Sequence, residues 1–336
     1  MTIPKITFFC ELEADQLSDV FTDQIINDLL AMDASISLGL LDLSLHRVEL
    51  IKKLNQAGVP VIAWLLLPKS QGYWFNLDNV DDAQARLMEF LEWTEEHRLI
   101  WDGIGLDIEP DIRDFMRFTQ DRRQLLSEAV RRIFNFHRFR TAKRKYLELS
   151  AQIHAEGYRI DSYQFPIIED ERQAQATILQ RVAGLIDLPV DREVWMLYSS
   201  FLRPHGAGVI ASYAPQAQSI GLGSTGGGVE LDIVEQKPLS WQEFSRDLRL
   251  GWFYCEDIHI FSLEGCLQQG FFERLKGFSW GDPILTPDES RLRVDRWRWT
   301  LRIALWFIDH LGAVILFSLT AVLFKEIFDR LLRKKD

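Results

Sequence analysis

Two carboxylates, Asp107 and Glu109, stand two residues apart in the run DGIGLDIEP (102–110), where Ile104, Leu106 and Ile108 take the alternate positions. In an extended strand this spacing puts Gly105, Asp107 and Glu109 on one face, and Pro110 stops the strand just beyond them. Acids crowded on one face raise one another's pKa, so one stays protonated near neutral pH while another is charged. A proton donor beside an anion suits acid/base cleavage of a glycosidic bond. One group protonates the leaving oxygen while a second stabilises or attacks the positive sugar centre.

Other extended runs carry polar residues at equivalent places. In ITFFCELE (6–13), Ile6, Phe8, Cys10 and Leu12 alternate with Phe9, Glu11 and Glu13, while Glu264 closes IHIFSLEG (258–265) and Tyr198 closes VWMLYS (194–199). The run LELSAQIH (147–154) alternates as well, which predicts a fifth strand with Ser150, Gln152 and His154 facing inward. Trp64 lies on the third run, and the loop after it, KSQGYWFNLDN, sets Tyr73, Trp74 and Phe75 beside Asn76. Flat rings of this kind stack on a pyranose face, though they equally pack a core. The candidate catalytic set is therefore Glu109, Asp107, Glu264 and Glu11. The candidate substrate-binding set is Glu13, Gln152, His154, Tyr198, Trp74 and Trp64.

For these residues to meet, their strands must end at one edge. Eight strand-like runs alternate with segments of helical period through residues 1–280, which predicts an α/β chain folded as a (β/α)8 TIM barrel. In that architecture the site lies at the C-terminal ends of the strands. No G-x-G-x-x-G follows the first run, which disfavours a dinucleotide-binding open sheet, and no cofactor motif is found. The 336 residues are 47% hydrophobic and 26% charged with a net charge of −11, an ordinary globular composition. That acidic balance argues against a nucleic-acid partner, whose phosphates call for clustered Lys and Arg. Three cysteines without C-x-x-C spacing suggest buried thiols rather than a disulfide framework or zinc site.

The run DGIGLDIE (102–109) resembles the fourth-strand signature of the chitinase-type family 18 glycoside hydrolases, D-G-x-D-x-D-x-E. The resemblance implies that Glu109 is the proton donor and that Asp107 positions the N-acetyl group of a substrate sugar. The chain departs from the family at three places. Gly105 replaces the middle Asp, Ser199 rather than Asp follows Tyr198, and Glu264 stands where an eighth-strand Trp is usual. The expectation is a glycoside-hydrolase-like barrel with a carbohydrate substrate or ligand, differing from an ordinary chitinase in substrate or mechanism. Two alternatives are a divalent-metal isomerase or hydrolase using Glu109, His154, Glu264 and Glu11, and a non-catalytic, membrane-tethered glycan- or protein-binding barrel.

The end of the chain is a different object. Residues 290–336 hold ten Lys/Arg against five Asp/Glu, and the stretch IALWFIDHLGAVILFSLTAVLF is nearly free of charge. At about 1.5 Å per residue a helix of this length spans roughly the 30 Å hydrocarbon core of a membrane. The expected organisation is a barrel over 1–280, a basic linker over 281–302, a C-terminal transmembrane helix over 303–324 and a basic tail over 325–336. The first residues do not read as a signal peptide, so the barrel is expected on the cytoplasmic side, tethered to the membrane through this helix.

Overall fold

The computed structural model describes residues 3–114, 122–223, 225–227 and 237–311. Eight parallel strands form a closed barrel in sequential order: β1 (Lys5–Cys10), β2 (Ser35–Leu40), β3 (Val61–Leu65), β4 (Gly103–Asp107), β5 (Ile160–Gln164), β6 (Arg192–Met196), β7 (Ser219–Gly223) and β8 (Asp257–Phe261). Helices connect successive strands and cover the outside.

Strand parity sorts the side chains. Ile6, Phe8, Ile36, Leu38, Ala63, Leu65, Ile104, Leu106, Ile220 and Ile260 belong to one large core shared with the helices. Phe9, Trp64, Tyr163, Val194 and Met196 form a second cluster inside the barrel. Each fully buried aliphatic of the outer layer contributes about 1.5–3 kcal/mol, and that layer holds the strands in register. The interior also holds polar groups. Below the aromatic layer, Arg192 makes a bidentate ion pair with Asp161 and reaches Asp257 at 2.8 Å. Tyr163 and Ser37 share a hydroxyl–hydroxyl hydrogen bond of 2.6 Å across the barrel.

Two expectations are corrected. The run 147–154 is not a strand; it ends the helix Phe136–Ala155. Tyr146, Leu149 and Ile153 are buried while Leu147 is exposed, so the helical period decides, and β5 follows at Ile160–Gln164. Nor is 281–302 a simple linker. Residues Asp288–Asp309 form a helix, here termed the outer helix, packed along the barrel. Its Arg298 is buried, donates to Asp170 at 2.9 Å and to the Ser212 carbonyl at 2.6 Å, and lies over the Tyr213 ring. Among the described residues no helix is long and apolar enough to cross a membrane. Of the expected span 303–324, residues 303–311 are described. There Leu305 is buried against the barrel's Ala174, Ala176 and Ile178, and Asp309 pairs with Arg181 and accepts from the Thr177 N–H. The rest of that span, and the tail 325–336, lie outside the described residues.

Candidate active site

The acids gather where the strands end. Asp107 is the last residue of β4 and is buried; Glu109, two residues on, is half-buried. The extended backbone continues past β4, because the Phe75 N–H donates to the Asp107 carbonyl and the Glu109 N–H to the Phe75 carbonyl. The loop after β3 thereby clamps the pair in its inward orientation. Glu11 follows β1, and the Tyr73 hydroxyl donates a short hydrogen bond to it. Glu264 lies in the first turn of the helix Leu263–Gln268, which follows β8 and is capped by Ser262, and its Oε1 accepts from the Glu11 N–H at 3.2 Å. Tyr198 stands just beyond β6, with its ring centroid 5.7 Å from that of Phe261.

Electrostatics links Asp107, Glu109, Glu11 and Tyr198, while Glu264 joins them through the Glu11 backbone. Burial pushes the Asp107 carboxyl well above the usual range, and the charges of Glu109 and Glu11 push it further. Burial lifts Glu109 to about 7, opposed by hydrogen bonding with Asp107. Two adjacent groups so displaced hold a proton between them near neutral pH. Burial likewise lifts Glu264 to about 7, against the N–H and hydroxyl donors around it. Burial first, and then Asp107, Glu109, Tyr163 and Glu11, raise the Tyr198 phenol, so that ring stays neutral and able to donate. One oxygen each of Asp107 and Glu264 is buried without a hydrogen-bond partner. Such groups favour a ligand that brings donors.

The remaining predicted residues divide. Trp64 forms the floor: it is 2% exposed, packed edge-on to Phe9 and Tyr163, and its indole N–H is directed toward Asp107 without closing a hydrogen bond. Trp74 is also buried, edge-on to Tyr73 at 5.4 Å. Neither ring presents an open face; both pack the end of the barrel interior beneath and beside the acids. Glu13 is exposed at the rim, where it caps a short 3-10 turn in a capping box with Gln16. Gln152 and His154 do not reach the site. They lie on the helix Phe136–Ala155, where Gln152 contacts the Met88 sulfur, and His154 pairs with Asp191 at 2.8 Å near the start of β5.

Sequence reasoning missed Tyr163. Its inward position follows only once β5 is placed at Ile160–Gln164, a run too polar to read as a buried strand. Cys10, the last residue of β1, also escaped notice as a neighbour of Glu264; burial and that carboxylate push its thiol well up, so it packs as an inert group.

No family model and no curated protein matches this chain. The family 18 resemblance therefore rests on DGIGLDIE alone. Among solved structures, the chain is similar to a xylose isomerase domain protein from Planctomyces limnophilus, at 10% identity and TM-score 0.43, over 82% of this chain and 96% of that one. It is similar to an active-site mutant of a Rhizomucor miehei β-1,3-glucanosyltransferase, at 10% identity and TM-score 0.37, over 76% and 86%. A third is a D-tagatose 3-epimerase-like protein, at 11% identity and TM-score 0.27, over 82% and 89%. Likenesses of this extent say nothing about the reaction, which must be argued from the side chains.

Proposed function

We propose that the barrel mouth is a carbohydrate-directed acid/base site of glycoside-hydrolase type. The observation that carries this reading is the adjacent Asp107–Glu109 pair, two carboxylates that burial holds above their ordinary range, with the charges of Glu109 and Glu11 raising Asp107 further, beside Tyr198. Glu109, half-buried and titrating near neutrality, is the proton donor to the leaving oxygen. Asp107, fully buried behind it, holds the second position of the pair and orients the donor. Glu11, whose charge acts on Asp107, Tyr73 and Tyr198, is the second carboxylate facing the sugar centre. Glu264 stands behind Glu11 and fixes its backbone. Tyr198 donates to a substrate oxygen.

The divalent-metal reading loses its imidazole, since His154 sits on the outer helical layer near the start of β5. Among the described residues no group of three or more His, Cys, Asp or Glu side chains is placed to hold a metal ion.

The test is a panel of oligosaccharides and aryl glycosides offered to the protein and to Glu109→Gln. Expected are ligand-linked thermal stabilisation in both proteins and loss of turnover in the variant by about 10²–10⁴-fold. Undiminished turnover in Glu109→Gln overturns the assignment of the donor. Absence of stabilisation by every sugar overturns the substrate class.

A further inference from the structure

The outer helix has two unlike sides. Val294, Arg298 and Leu305 are buried against the barrel. Another side carries Leu292, Trp299, Ile303, Trp306 and Phe307 at helical spacing, each between 37% and 63% exposed, the last four bordering an open groove with Gln173 and Ala174 of the barrel. Trp297, at 60%, and Ile308, at 50%, extend the apolar surface around the helix. Large exposed apolar side chains occur singly on most soluble surfaces; a contiguous set on one helix face marks a contact.

We infer that this face lies in the interface of a lipid bilayer with an anionic surface, parallel to the membrane plane, with the barrel seated on its other side. Three observations favour lipid over a protein partner. The exposed set is rich in tryptophan, the residue enriched at headgroup level, alongside Leu, Ile and Phe. Exposed arginines Arg291, Arg293 and Arg296 stand in the first turns of the same helix, Arg291 and Arg293 beside Asp295 and Glu289 and Arg296 between Leu292 and Trp299, and they attract anionic headgroups within a Debye length of about 8–10 Å even though the chain as a whole carries −11. The sequence then continues without an ionisable residue from Leu311 to Phe324, and Arg330, Arg333, Lys334 and Lys335 follow. The lipid-facing side is thus continuous in sequence with the chain's most apolar stretch. The buried ion pairs Arg298–Asp170 and Arg181–Asp309 pin both halves of the helix to the barrel. They hold these residues against the barrel rather than across a bilayer. This placement is independent of the reaction proposed for the barrel mouth.

The three native cysteines are buried, so a thiol-directed fluorophore sensitive to polarity can be placed selectively in the full chain through Trp299→Cys or Phe307→Cys. Phe253→Cys, at the end of the helix Trp241–Tyr254 and 63% exposed, serves as the control site. The labelled proteins are mixed with phosphatidylcholine–phosphatidylserine vesicles carrying a nitroxide at either headgroup or mid-chain depth. Labels at 299 and 307 are expected to be quenched severalfold more than the label at 253, most strongly by the headgroup-depth nitroxide, and less when phosphatidylserine is omitted. Quenching at 299 and 307 no greater than at 253, on vesicles that carry the protein, overturns the proposal. So does strongest quenching from mid-chain depth, which would mean a crossing helix. Concentration-dependent shielding of the two labels without lipid, reporting a second copy on this face, overturns it as well.

Discussion

Gly105 and Tyr163 occupy a single volume inside the barrel: a Cβ built on Gly105 would lie 2.5 Å from the Tyr163 phenolic oxygen and 2.8 Å from two of its ring carbons. The absent side chain on β4 and the large one on β5 are two halves of one packing solution. Tyr163 is anchored there through Ser37 and lies edge-on to Phe9 at 4.7 Å. The place where the family 18 pattern has its middle Asp is thus filled by a neutral phenol from the neighbouring strand. Burial, with Asp161 next in weight, pushes that phenol far up, so it contributes no charge to the site.

Gly105→Ala is therefore expected to destabilise the barrel by about 1–3 kcal/mol, the usual cost of overpacking a closed interior. Tyr163→Ala costs more, about 3–5 kcal/mol, through the cavity it leaves. The double variant is expected to be more stable than the sum of the two losses implies, because the ring that obstructs the new methyl is gone. Chemical denaturation of the four proteins closes the cycle. Strict additivity would show that the two residues do not share the space.

The site carboxylates predict a pH dependence of stability. Glu109 and Glu264 titrate near 7 in the folded protein and near the ordinary carboxylate range when unfolded, so between those limits the folded state binds more protons. Their contribution is fully present below the unfolded pKa and is lost as pH rises through about 7. The melting temperature is expected to fall from pH 5 to pH 8, and to fall less steeply in Glu264→Gln, whose amide does not ionise. An equal slope in that variant would mean that Glu264 is not held protonated by its surroundings.

How far these features could be read beforehand depended on whether a strand's neighbours agree with its own pattern. β1 and β4 alternate cleanly, so the inward positions of Glu11, Asp107 and Glu109 follow from parity alone. β5, IDSYQ, does not. Its inward residues are Asp161 and Tyr163, which meet Arg192 of β6 and Ser37 of β2, and its other face shows Ser162 and Gln164, which hydrogen-bond each other; all four are buried. The helix before it, by contrast, satisfies both a two-residue and a 3.6-residue period over 147–154. Length decided against the strand, since those eight residues end a helix of 20. The placement of Gln152 and His154 in the mouth was the direct cost of that ambiguity. The outer helix was hidden for another reason. Its docking depends on one buried arginine meeting an aspartate 128 residues away, which no local pattern announces.

His154 supplies a negative control. Its pair with Asp191 is about half exposed, in the range where such pairs are worth roughly 0–1 kcal/mol. His154→Ala and Gln152→Ala are each expected to leave ligand-linked stabilisation and any turnover unchanged within error, with little change in melting temperature. A severalfold loss of turnover in His154→Ala, without unfolding, would return the imidazole to the mouth and revive the divalent-metal reading.

The seat of the outer helix offers the most direct test of how the chain's last described element is held. Asp170 is wholly buried and accepts from Arg298 and from the Tyr213 hydroxyl, with Arg302 3.6 Å away. Removing Arg298 leaves a carboxylate without its main cation in a site closed to water, which typically costs about 3–5 kcal/mol. Arg298→Met keeps most of the apolar stem over the Tyr213 ring and removes only the charge and its donors. It is expected to lower stability by about 3 kcal/mol, since Arg302 and Tyr213 remain near Asp170. Adding Asp170→Asn to Arg298→Met takes the charge away and should recover part of that loss, because an amide is cheaper to bury than an ion. Amide exchange across 288–309 distinguishes the causes. Faster exchange confined to this helix in Arg298→Met, reversed in part in the double variant, means that the ion pair fastens the helix to the barrel. Unchanged exchange there, with general destabilisation, would place the energy of the pair in the barrel wall instead.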